Sequence, residues 1–221
     1  MERWATFDCY GTLVDWHAGI SGAVETVAPG RGAEVLAAYH RQEPVVEAET
    51  PFRRYRDVLR ETLSRAAREV GVTLTGGGED VLGATLPDWP VYPDVGDALD
   101  AVRAAGWKLA VLSNVDRDLI AGTARRLPVD FDLILTAEEV GSYKPAPGHL
   151  RRFQELTGAV PEGWVHVAGS VFHDIAPAHA HGVRGVYITR VPEKEDARLA
   201  EAMLPGLRAL PAVLDALAGA G

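Results

Sequence analysis

Four short segments of this chain carry residues fit for polar chemistry, and each follows a stretch that reads as a β-strand. Trp4-Ala5-Thr6-Phe7 runs straight into Asp8, and Gly11-Thr12 follows, so the carboxylate is expected where the chain leaves its sheet. An aspartate there can be a metal ligand, a general base or a nucleophile. Residues 108–112 lead into Ser113-Asn114, whose hydroxyl and amide can donate to a substrate carboxylate or to charge developing beside Asp8; alone, such a pair is more often a helix cap. After the third strand, Ser142-Tyr143-Lys144-Pro145-Ala146-Pro147 sets a lysine on a rigid segment. Its ammonium can balance Asp8 and an incoming anion, an exposed loop lysine being the plain alternative. The fourth segment, His166 to Asp174, ends in a second aspartate that can equally cap the helix expected there.

The elements that must bring these segments together alternate regularly after residue 94. Helix is expected to 105, strand over 108–112, helix from 116 to 127, strand over 133–136, helix from 147, strand over 164–168, helix after 174 and a last strand over 185–188, then helical segments over 193–202 and 206–218. Strands separated by single helices indicate right-handed crossovers and a parallel sheet. Between the first strand and this array lies an all-helical block. Helices are expected over 17–28 and 33–49. Over 52–70 the residues Tyr55, Leu59, Leu63 and Ala67 recur at intervals of four, with Thr50-Pro51 as N-cap and first helical residue. Gly76-Gly77-Gly78 is expected to be a loop, and 79–86 a short helix. Three prolines between Pro87 and Pro93 mark a stiff return linker. The fold class is therefore α/β: a Rossmann-like parallel-sheet core (1–15 and 91–221) with a helical cap subdomain (16–90) inserted after the first strand.

The 221 residues suffice for such a domain with its insertion. With 31 acidic against 22 basic residues, a net charge of −9 and no basic run, a nucleic-acid backbone is an unsuitable partner and a small ligand is expected. No stretch reads as a signal sequence or membrane span, and the single cysteine, Cys9, excludes an internal disulfide, so a cytoplasmic protein is expected, with a homodimer left open. Cys9 adjoins Asp8 but reads as a small buried thiol rather than a nucleophile.

The four segments, in order and with the helical insertion after the first, resemble the motifs of the haloacid dehalogenase superfamily. In that family the first Asp attacks the substrate and forms an ester with it, the role the resemblance gives Asp8. Its phosphatases carry a second Asp two residues on, which protonates the leaving alcohol; its 2-haloacid dehalogenases typically carry Tyr, and here the residue is Tyr10. A halide leaves without a proton, and a phenol of pKa about 10 is a poor acid near neutrality, so Tyr10 favours halide over alkoxide. The fourth motif of the phosphatases reads Gly-Asp-x-x-x-x-Asp, its first acid a magnesium ligand. Gly169 stands at that place, which weakens a hard-cation site, and neither metal nor other cofactor is expected. The resemblance further implies that Thr12, Ser113 and Asn114 position charged oxygens, that Lys144 balances charge, and that Asp174 orients the water that opens the ester. Cap arginines in 2-haloacid dehalogenases meet the carboxylate or the departing halide, which makes Arg41 a candidate, a solvated helix-face arginine being the alternative. Tyr55 and Trp89 can line the pocket or simply pack.

The chain departs from the L-2-haloacid dehalogenases at Ala146 and Leu150, where Asp and Tyr are typical, and at Gly169-Ser170-Val171, where Ser-Ser-Asn is usual. Tyr-Lys-Pro-Ala-Pro-Gly-His together with Ser-x-x-His-Asp is more similar to the type II dehalogenase-like branch, which also contains azetidine-2-carboxylate hydrolase. An amine, unlike a halide, benefits from a proton donor, for which His149 and His173 are candidates. His179 and His181, two apart on an expected helix, make a poor metal pair. The expected activity is metal-independent displacement of a leaving group, halide first and amine second, from a small anionic carboxylate substrate. A magnesium phosphatase is disfavoured by Tyr10 and Gly169 together, and a non-catalytic binding protein by the joint survival of Asp8, Lys144 and Asp174.

Overall fold

The computed structural model describes residues 2–191 and 197–219. Its strands are β1 (Arg3–Phe7), β2 (Trp107–Ser113), β3 (Leu133–Thr136), β4 (Trp164–Ala168), β5 (Arg184–Ile188) and β6 (Ala202–Leu204). All neighbours run parallel, in the order β3-β2-β1-β4-β5-β6. The chain winds outward from β1 to β3 and then crosses back to β4, so the two halves of the sheet diverge beside β1 and leave a crevice beyond the strand ends. Asp8 emerges there. Both faces of the sheet are buried, as parallel sheets require: Phe7, Val111 and Val167 pack in one apolar cluster, while Trp4, Leu112 and Trp164 pack in another.

Of the five helices between β1 and β2, four form the insertion: α1 (Trp16–Val27), α2 (Gly32–Glu47), α3 (Tyr55–Glu69) and α4 (Val81–Thr85). The others, α5 (Val95–Ala104), α6 (Arg117–Ala124), α7 (Ala137–Val140), α8 (Gly148–Thr157), α9 (Ala176–Ala180) and α10 (Leu210–Gly219), belong to the core. This is the α/β core with helical cap that the alternation of elements implied. In α3 the four-residue spacing buries Tyr55, Leu59, Leu63 and Ala67 along one stripe. The two cap connections lie side by side: Val14 bridges Val91 antiparallel, Asp15 N–H donates to Pro90 O at 2.7 Å and Tyr92 N–H to Leu13 O at 2.9 Å. We propose 16–90 as the cap and 1–15 with 91–221 as the core, a division this pairing supports.

Several expectations need correction. Residues 185–188 are not the last strand: β6 pairs with β5, although Ala202-Met203-Leu204 is a helix-favouring sequence, because the sheet edge supplies its partner. Of the helix expected over 193–202, residues 193–196 lie outside the described residues and the remainder is a 3₁₀ turn followed by β6; α10 starts at Leu210 rather than 206. The three glycines sit within a 3₁₀ turn, Thr75–Asp80, in which Gly76 and Gly77 take positive φ. Helix α7 was not expected, though Thr136 and Glu139 form a reciprocal capping box that the sequence displays. Thr50-Pro51 does not begin a helix. α3 starts at Tyr55, and its first amides are satisfied from the core: fully buried Asp116 accepts Tyr55 N–H at 2.8 Å and Arg56 N–H at 2.9 Å. Asp116 makes no side-chain cap on α6, the helix it precedes.

Candidate active site

The loop after β1 folds tightly, with Gly11 at φ 94°, a conformation that other residues rarely adopt. It brings Thr12 back beside Asp8. Thr12 Oγ1 donates to Asp8 Oδ2 at 2.7 Å and accepts Gly169 N–H at 2.8 Å, which joins the loops after β1 and β4. Lys144 supplies the other side of the carboxylate. Its Nζ donates to Asp8 Oδ1 at 2.9 Å, Asp174 Oδ1 at 2.7 Å and Leu112 O at 2.9 Å, so all three ammonium protons are engaged. Burial opposes the charge on Lys144, but Asp174 and Asp8 outweigh it and hold its pKa above the ordinary lysine value. Burial likewise pushes Asp174 upward, yet Lys144 first and His166 next hold the carboxyl well below the usual range. Both groups therefore stay charged in the folded state.

A second chain of hydrogen bonds fixes Asp174 from behind. Trp164 Nε1–H donates to Thr6 Oγ1 at 2.8 Å, Thr6 Oγ1 lies 2.9 Å from His166 Nδ1, and His166 Nε2 lies 2.9 Å from Asp174 Oδ1. Thr6 Oγ1 also donates to Val165 O at 3.4 Å, so each polar group of this chain has a partner. The sequence reading missed His166 and Thr6. Their signal was a pair of polar residues inside otherwise apolar strands, facing one another across β1 and β4 in register.

Above Asp8 lies a cavity of about 360 Å³. Its floor includes Asp8, Tyr10, Ser113, Lys144, His173 and Asp174, and its roof is cap: His17 from α1, His40, Glu43 and Glu47 from α2, and Tyr55 from α3. Glu43 and Glu47 were not expected. Their signal was the spacing 40, 43, 47 on α2, three polar residues on one helix face. Glu43 Oε1 accepts Tyr39 O–H at 3.0 Å and Tyr55 O–H at 3.2 Å, while Glu47 has neither hydrogen bond nor ion pair among the described residues. Burial raises Glu43 to about 7, against the two tyrosine hydrogen bonds, and raises Glu47 to about 8, with the Glu43 charge adding to it.

The structure brings Asp8, Tyr10, Thr12, Ser113, Asn114, Lys144 and Asp174 to this one sheet edge. It does not bring Arg41, which lies on the outer face of the cap and pairs with Glu69 at 2.6 Å. Tyr10 packs edge-on to Trp16 and Trp89, and its hydroxyl lies 2.7 Å from Thr123 Oγ1; burial pushes the phenol well above its ordinary pKa. Ser113 Oγ, 1% exposed, has no partner among the described residues. Asn114 spends both ends of its amide on the backbone of Lys144. Asp174 is not a helix cap: it sits within a π-helical turn, Val171–Ile175, capped by Ser170. Tyr55 lines the cavity, whereas Trp89 packs against Gly19 at a distance that admits no side chain there. Of the two histidine candidates, His173 reaches the cavity. His149 lies behind it, Nε2 at 3.0 Å from Ser113 O, neutral because burial lowers its pKa to about 4. The buried Cys9 thiol is pushed upward, by burial first and by Asp8 next, which disfavours the thiolate.

A hard divalent cation does not suit this donor set. A Cβ at Gly169 would come within 2.5 Å of the Gly11 carbonyl oxygen, so a carboxylate cannot stand there without moving that loop, and both remaining aspartates are tied to Lys144. Among the described residues, no group of three or more His, Cys, Asp or Glu side chains is disposed to hold a metal ion. Among the same residues, no helix is long and apolar enough to cross a membrane.

Residues 3–182 match the family described as haloacid dehalogenase-like hydrolase, and the chain belongs to that family. It is 28% identical over 207 residues to (S)-2-haloacid dehalogenase 4A of Burkholderia cepacia, covering 89% of this chain and 88% of that protein. To (S)-2-haloacid dehalogenase 1 of Pseudomonas sp. (strain CBS-3) it is 27% identical, covering 96% of each. Its fold superposes on L-2-haloacid dehalogenase from Xanthobacter autotrophicus with chloropropionic acid covalently bound, with a TM-score of 0.83 at 19% identity over 97% of this chain and 99% of that one.

Proposed function

We propose that this hydrolase uses Asp8 as a nucleophile on the saturated carbon of a small 2-substituted carboxylic acid, with a 2-haloacid as the leading substrate. The observation that carries the reading is the setting of Asp8: both oxygens hydrogen-bonded, to Lys144 and Thr12, at the floor of a cavity roofed by the cap, with no acidic side chain at 169. A carboxylate oxygen needs no base to activate it as a nucleophile. One oxygen forms a bond to carbon as the carbon–halogen pair departs with the halide. Water then adds to the ester carbonyl, its oxygen stays in Asp8, and the 2-hydroxy acid, halide and one proton are released. Lys144 steadies the charge at both stages, and Asp174, fixed by Lys144 and His166, orients the water. The Burkholderia and Pseudomonas relatives support the halide, and the two glutamates of the cap favour a second reading, cleavage of a C–N bond in a small imino acid such as azetidine-2-carboxylate.

A single turnover in heavy-oxygen water tests the mechanism. Label appearing in the Asp8 peptide, and absent from an Asp8→Asn variant, is the expected result. Label in the product alone would remove the ester intermediate.

A further inference from the structure

The cavity above Asp8 is poor in positive charge. Among the described residues its lining contains one Lys or Arg, Lys144, whose three protons are already used by Asp8, Asp174 and the Leu112 carbonyl. The cap does not lack arginines, but it turns them away: Arg41 to Glu69, Arg53 and Arg65 to Glu49, Arg54 and Arg56 to Asp118. The same cap directs two carboxyl groups inward. Glu43 and Glu47 stand one turn apart on α2, on the face that roofs the cavity, and neither makes an ion pair among the described residues. Burial and mutual repulsion drive these two carboxyl groups toward their protonated forms, with the Lys144 charge opposing this only in part at Glu47, and a cation between them would hold both ionised. Across the cavity, Ser113 Oγ is buried and has no partner, a polar group still to be satisfied.

We propose that the cap half of this cavity is a cation subsite: the substrate carries an ammonium group that sits between the carboxylates of Glu43 and Glu47, with its opposite, polar end at Ser113. The ligand class is a small zwitterionic amino or imino acid. The proposal rests on Asp8 being the nucleophile of this cavity and deepens the second of the two readings above, in which nitrogen is the leaving group. A ring nitrogen held as ammonium takes the C–N bonding pair when Asp8 attacks carbon, and that pair cancels its positive charge. The amine thus departs neutral without an acid at position 10, where the chain has Tyr10.

Three five-membered rings of similar size separate the alternatives: proline, a zwitterion; pyrrolidine, a cation; and cyclopentanecarboxylate, an anion. Calorimetric titration of the full chain is expected to rank proline first and the anion last, with proline at least ~10-fold tighter than the anion. Glu43→Gln and Glu47→Gln should each erode that advantage, and the double variant should abolish it while strengthening the anion. The groups facing these carboxyls are Tyr39, Tyr55, Tyr143, Lys144, His17 and His40. Because the glutamates must lose protons to pair with ammonium, proline should bind more tightly at pH 8.5 than at 6, whereas an anion should do the reverse. Equal or tighter binding of cyclopentanecarboxylate, indifference to the double variant, or failure of proline to bind at millimolar concentration would overturn the subsite. These outcomes are independent of the heavy-oxygen label: label in Asp8 from a 2-haloacid with no proline binding sinks the subsite alone, and proline binding without label sinks the nucleophile alone.

Discussion

Asn114 grips Lys144 by its backbone: Asn114 Oδ1 accepts the Lys144 N–H at 2.7 Å and Asn114 Nδ2 donates to the Lys144 carbonyl at 3.1 Å. The amide expected to face substrate therefore places the lysine that meets Asp8. Asn114→Ala removes both bonds, about 1 kcal/mol each, and lets the ammonium shift from the nucleophile. Turnover should fall about 10- to 100-fold with KM changed far less. A KM rise at constant kcat would instead return Asn114 to substrate binding.

His166 spans Thr6 and Asp174, with Nδ1 at 2.9 Å from Thr6 Oγ1 and Nε2 at 2.9 Å from Asp174 Oδ1. His166→Phe keeps the ring volume but removes one partner each from Thr6 and Asp174, leaving Asp174 held by Lys144 alone, and should slow breakdown of the Asp8 ester more than its formation. The expected signature is a larger initial burst with a steady-state rate reduced about tenfold or more, read by rapid quench. An unchanged ratio of burst to steady state would make His166 a packing residue only.

Burial pushes Glu43 up to about 7 and Glu47 up to about 8, above the ~4.3 of an unfolded glutamate. The native state then binds more protons than the unfolded chain between these values, so their contribution to stability is greatest below about pH 4.3 and declines as pH rises through 8. The urea midpoint should be higher at about pH 5.5 than at about pH 8.5, and the difference should shrink in Glu43→Gln/Glu47→Gln. A wild-type slope of the opposite sign would show that these carboxyls are compensated in solution.

Asp116 ties the first turn of α3 to the core, one oxygen on each of two amides. Asp116→Ala leaves those donors without partners and should cost roughly 1–2 kcal/mol, as loss of a helix cap does. The destabilisation should be concentrated in the cap. Hydrogen exchange of the Tyr55 and Arg56 amides should accelerate while β1 and β4 stay protected. Uniform acceleration across both halves would mean that cap and core open as one unit.

The sheet and the sequence of helices were readable because apolar runs, glycine turns and strand–helix alternation are local signals. The four residues at the strand ends were readable for the same reason, since each follows a recognisable strand. What escaped was set by contacts between distant segments. Arg41 looked like a site arginine because helix periodicity gives a residue's face only relative to its own helix, and α2 turns that face toward Glu69. Glu43 and Glu47 went unnoticed because only the packing of the cap over the sheet edge turns their helix face onto the cavity. Asp116 read as the start of its own helix, yet its oxygens serve a helix sixty residues earlier. β6 had no local signal at all, because its three residues become a strand only by lying against β5.

The close approach of Gly169 to the Gly11 carbonyl has a historical implication. Converting such a chain to cation-dependent chemistry by placing an acid at 169 would meet a backbone, not a movable side chain, so the exchange is blocked unless the turn at Gly11 has already been rebuilt. The order of mutations is therefore constrained: the nucleophile's turn must drift first, and laboratory selections that randomise position 169 alone should return glycine.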